Sequence, residues 1–193
     1  MPESLDVKIE CAAHHEPGHI VVAAAHGLRV KPEGLILDSL GEGLACYSRQ
    51  LDSSDASRIC VLLATFAGYY AERQFRERRG YPVVDEKYWF FYSYDGHEAR
   101  QLLGGLSTES LLNGNVPATQ AKLQTQSKDM VAQHWDAIEA LAMALLAKPF
   151  EEWRPLKSGT KLSSATTARY LPGEEVVSIL RRHGIPAFCT SEC

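Results

Sequence analysis

The stretch from Cys11 to Ala24 reads CAAHHEPGHIVVAA and sets His15, Glu16 and His19 in an H-E-x-x-H pattern. On a helix, residues four apart share a face, with Cβ atoms about 5–6 Å apart. His15 and His19 are therefore spaced to hold one Zn2+ through bonds of about 2.0–2.1 Å. Glu16 would reach the open coordination position and take a proton from a water that the metal has acidified to a pKa of about 7. This is hydrolytic chemistry that still needs a third protein ligand. His14, beside the motif, is read as solvent-facing.

Pro17 sits between the two histidines. It removes the N–H that would bond to the Ala13 carbonyl, and its ring crowds that carbonyl. It also pushes Glu16 away from α conformation, at a cost of about 3 kcal/mol in an ideal helix interior. The histidine pair survives if the helix kinks at Pro17 or restarts near His14, so that the proline falls in a first turn. Gly18 leaves room for close packing against a neighbouring element.

Three positions compete for the third ligand. His26 is one residue beyond the spacing at which a third histidine would fall. Glu42 lies at a suitable distance along the chain, but in the predicted turn GEG. Asp95, in YSYDGHEARQLL, stands at a helix start, where an aspartate either caps the helix or binds metal. His97 is its backup.

The elements that must position these residues follow from caps and periodicity. A first helix is predicted from Ser4 or Asp6 to about His26, stopped by Gly27. Leu35 to Leu37 and Leu44 to Tyr47 flank DSLGEG and read as a β-hairpin or small sheet. A second helix is capped by Ser53, Ser54 or Asp55 and stopped by Gly80. The aromatic-rich YPVVDEKYWFFYSYD reads as a connector, with at least half of its aromatics packed against the helices. Another helix begins near Asp95. A long one is predicted from Pro117 to Lys148, with the proline in its first turn. Residues 155–170, rich in Ser and Thr, read as a flexible loop. LPGEEVVSILRRHG is a short helix, and 185–193 a tail. The expectation is one mainly α domain over residues 1–193, with one small β element next to the zinc helix.

The chain has 193 residues, 45% hydrophobic and 23% charged, with a net charge of -4. That balance is globular and argues against nucleic acid, which needs a concentrated basic face. The densest basic cluster, Arg73 to Arg79, reads as a solvated helix end. The longest apolar runs, IVVAAA and LAMALLA, are too short to cross a bilayer. The acidic, polar start is no secretory signal. Cys11, Cys46 and Cys60 read as small buried residues in a reducing compartment, and Cys189 and Cys193 as a close pair at the tail able to form a disulfide or bind metal. A cytoplasmic location is expected.

HHEPGHIVVA resembles the HE-x-GH-x-hydrophobic-x-A signature of the peptidase domain of FtsH-type zinc metalloproteases. Further segments resemble that family in order: GLILDSLGEGLACYS its hairpin, FAGYYAERQF its A-E-containing helix, YSYDGHEARQL the segment with its third zinc ligand, and IEALAMALL with LPGEEVVSIL its closing helices. The resemblance implies a helical zincin-like peptidase domain, with His15, His19 and Asp95 as zinc ligands and Glu16 as the general base. It also implies that the strand within Leu35 to Tyr47 adds an extended substrate by β-pairing.

The family's ATPase module has a G-x-x-x-x-G-K-[ST] phosphate loop, and this sequence has none, so ATP-independent action is expected. Family members form rings, which leaves a homo-oligomer open. The leading expectation is a zinc metalloendopeptidase acting on peptides or unstructured protein segments. The alternatives are a catalytically weak zinc-binding interaction module on the same scaffold, and a metal-free helical protein in which the histidines are merely packed.

Overall fold

A computed structural model describes residues 3–48, 54–154 and 164–190. The order is α1 (Leu5–Ala25), β1 (Val30–Asp38), β2 (Gly43–Tyr47), α2 (Asp55–Arg79), α3 (Glu86–Tyr92), α4 (Tyr94–Gly104), α5 (Val116–Gln133), α6 (Trp135–Leu146), β3 (Glu151–Glu152), β4 (Thr167–Leu171) and α7 (Gly173–Arg182). Two short 3-10 turns join α4 to α5. The architecture is mainly α with one small antiparallel sheet, as expected. Among the described residues no helix is long and apolar enough to cross a membrane.

α1 is the central element. Ser4 caps its start by accepting from the Val7 N–H, and the chain leaves it through Gly27 at φ +79°. From Cys11 onward nearly every side chain is buried, because α1 packs on α2, α6 and the sheet. It is one helix from Leu5 to Ala25 with Pro17 inside it, and it does not restart near His14. Ile20, Val21 and Val22 are all fully buried. At about 1.5–3 kcal/mol for each such side chain, their packing outweighs the roughly 3 kcal/mol that a mid-helix proline costs. Gly18 meets α2 so closely that a Cβ there would lie 2.6 Å from the Ala67 carbonyl oxygen and the Ala71 Cβ.

The sheet order is β2-β1-β4-β3. β1 pairs with β2 (Leu35 opposite Ala45) and with β4 (Leu35 opposite Leu171). The expected loop over 155–170 is corrected at its end: Thr167 to Tyr170 belong to a central strand. Residues 155–163 lie outside the described residues. A run of Ser and Thr hides this strand, but Ala168 and Leu171 are buried in it. The tail is tied down too. Ile185 and Ala187 are buried, and Cys189 bridges to Val30; Cys193 lies outside the described residues.

Two helical expectations are also revised. The long helix from Pro117 breaks at His134, because α5 packs on α2 whereas α6 packs on α1, and one straight helix cannot serve both. The aromatic connector contains α3, capped by Asp85 through the Tyr88 N–H. There Trp89 and Phe90 are buried against Phe66, while Tyr88, Phe91, Tyr92 and Tyr94 are exposed, so fewer than half pack inward.

Candidate metal centre

α1 and α2 lie side by side, and α4 brings its first turn across their faces. Ser93 caps α4 through the Gly96 N–H. Asp95 is thus released from the capping role, and its side chain turns onto the histidines. His15 Nε2 lies 2.9 Å and His19 Nε2 3.3 Å from the same Asp95 Oδ2. One ligand atom from each of the three falls within 4.8 Å of the others, a cluster able to hold a metal ion. Two ligand atoms on a tetrahedral ion with bonds of about 2.0–2.2 Å stand roughly 3.4 Å apart. The two spacings to Asp95 lie just below that value.

Both rings are held from behind. His15 Nδ1 bonds to Glu72 Oε2 at 3.0 Å, and His19 Nδ1 to the Ala64 carbonyl at 2.8 Å. An acceptor at Nδ1 fixes the tautomer that leaves Nε2 as the lone-pair nitrogen, the usual device for orienting ligand histidines. Gly68 of α2 faces both rings: a Cβ there would lie 2.4 Å from His19 Nε2 and 2.7 Å from His15 Nε2. Without a metal, the same three residues form an ion-paired group. Burial opposes charge on His15, but its bonds to Asp95 and Glu72 prevail and raise its pKa well above the ordinary histidine value. Burial likewise raises Asp95, and the attraction of His19 and the hydrogen bond from His15 outweigh it, so that carboxyl is held far below the usual range.

Glu16 points away from α2, toward the sheet. It is 8% exposed, and the backbone N–H of Ala45 in β2 favours its charged form. Gly43 lies against it, where a Cβ would fall 2.4 Å from Glu16 Cγ. Burial raises the Glu16 pKa, partly offset by His15 and His19. A carboxylate so placed is a candidate proton acceptor beside the cluster.

The remaining sequence candidates stand elsewhere. Glu42 is exposed in the β1–β2 turn, His26 caps the end of α1, and His97 is exposed and bonded to Gln101. His14 is corrected: it is not solvent-facing but 4% exposed, stacked 3.9 Å from Phe75 and 5.9 Å from Trp135. Sequence reasoning missed Gly68, Glu72 and Arg76. Their spacing of four residues in GYYAERQFR placed them on one helical face, and that was the available signal. No family model matches the chain, and no curated protein matches it, so the reading of this centre rests on its own geometry.

Proposed function

We propose that the protein is a zinc-dependent, ATP-independent metallopeptidase that hydrolyses peptides or unstructured protein segments. The observation that carries this is the convergence of His15 Nε2, His19 Nε2 and Asp95 Oδ2 on one point, with each imidazole oriented through Nδ1. Two imidazoles and a carboxylate form a donor set that suits zinc. A bound zinc ion would supply a Lewis acid that polarises a carbonyl and acidifies water. Glu16 accepts a proton from the attacking water and returns it to the leaving amine. Burial raises its pKa, which makes it a stronger proton acceptor than an exposed carboxylate. β2 is an edge strand of the sheet among the described residues, and it runs beside Glu16. An extended peptide adds to that edge by main-chain hydrogen bonds. The resemblance of HHEPGHIVVA to FtsH-type peptidases supports the same roles.

A second reading, a zinc-binding interaction module without turnover, rests on one observation: Glu16 is buried and packed against Gly43 of β2. Zinc content and cleavage of a peptide library separate the two. The peptidase reading expects about one zinc per chain, lost in Asp95→Ala, with cleavage abolished by chelation and in Glu16→Gln while that variant keeps its zinc. Bound zinc with no cleavage of any pool favours the module. No zinc after incubation at neutral pH sinks both.

A further inference from the structure

Glu72 has two carboxylate oxygens and two partners. Oε2 meets His15 Nδ1, and Oε1 accepts from Arg76 Nε at 2.7 Å. Arg76, one turn further along α2, is only 6% exposed. It was expected to belong to a solvated helix end, and it is instead the buried centre of a relay. Its Nη1 donates to Glu3 Oε1 at 2.5 Å and to the Pro82 carbonyl at 3.1 Å, and its Nη2 donates to Glu3 Oε2 at 3.3 Å. Glu3 therefore grips the guanidinium through both oxygens, a geometry that a lysine cannot match. Continuous charge-assisted contacts run from the segment before α1, through Arg76 and Glu72, to the ring of a metal ligand.

The surroundings leave Arg76 as the natural partner of Glu72. Cys11, one turn before His15 on α1, feels the same guanidinium, yet burial pushes its thiol up to about 12, so it stays neutral and does not compete as an anion. Without Arg76, Glu72 would be a buried carboxylate with a single partner, free to turn away from His15.

We propose that Arg76, clamped by Glu3, is a positioning residue that holds the Glu72 carboxylate against Nδ1 of His15 and so couples docking of the segment before α1 to the grip of His15, His19 and Asp95 on zinc. The inference rests on the metal site proposed above. Coupling of this kind is reciprocal: a docked Glu3 tightens zinc binding, and bound zinc holds Glu3 in place.

The test is zinc affinity by competition with a chromophoric chelator, with thermal unfolding of the metal-free proteins recorded alongside. Arg76→Met is expected to weaken zinc about tenfold to a hundredfold, the range for losing an outer partner of a ligand histidine. Glu3→Gln, at a more exposed position outside the core, is expected to weaken it about threefold, and Arg76→Lys to fall between wild type and Arg76→Met. The double variant should bind no more weakly than Arg76→Met alone, because both changes cut one chain of contacts. Zinc should slow amide exchange in residues 3–8 of wild type and not of Arg76→Met. Unchanged affinity in both Glu3→Gln and Arg76→Met, or additive losses in the double variant, would overturn the relay while leaving the metal site intact. A wild type that binds no zinc would overturn the metal site and the relay together.

Discussion

His15 and His19 project from α1 onto α2, whereas Glu16, adjacent to His15 in sequence, projects onto the sheet. The two sides are built differently. On the helix side each histidine has a dedicated acceptor behind it, and Gly68 clears the space in front. On the strand side the missing side chain of Gly43 leaves the room that the carboxylate occupies. Under the proposed function, binding a metal and using it would therefore fall to separate parts of the fold, and each could be damaged while the other is spared.

The largest separation is expected from Gly68→Ala. Its Cβ would fall 2.4 Å from the His19 ring, so the ring must move; zinc affinity should drop more than about a hundredfold and cleavage should vanish with it. Metal content by elemental analysis decides this, and an alanine variant with full zinc would show that the rings have slack. Gly43→Ala is expected to act on the other side only. It displaces Glu16 and should slow cleavage by roughly tenfold to a thousandfold, within the range that a general base contributes, with zinc content unchanged. If it also releases zinc, the two sides are not independent. The smallest effect is expected from Pro17→Ala, which lies between them. Restoring the N–H that bonds to the Ala13 carbonyl, less the lost contacts of a buried ring, should stabilise the protein by about 1 kcal/mol without changing metal content. Calorimetry would register this as a higher Tm, and a lower one would show that the ring's packing dominates.

The helix side was partly legible in the sequence because its key spacing is local. His15 and His19 are one turn apart, and one turn is what a linear pattern can display. Asp95 was one of several candidates on chemistry alone and was singled out by resemblance, since nothing local says which distant helix start folds back over α1. Glu72 and Arg76 were hidden for the opposite reason: an acidic and a basic residue four apart are what any solvent-facing helix shows, and only tertiary contact reveals that Arg76 is buried. The strand side was harder. The β1–β2 hairpin could be read from its turn, but β4 has a polar composition and is a strand through its partners rather than its propensity. His14 was misplaced because the aromatic slot formed by Phe75 and Trp135 is assembled from two helices far from it in sequence.

The strand order also has a meaning in time. His15, His19 and Asp95 all lie before Gly104. The sheet beside Glu16 is different: β1 gains its second partner only when Leu171 arrives opposite Leu35, and an isolated two-stranded hairpin is marginal in water. Closing so long a loop is slow. As the chain folds, the cluster of His15, His19 and Asp95 can therefore assemble before the sheet beside Glu16 is complete; under the proposed reading, an immature molecule would carry its metal before it could cut anything near it.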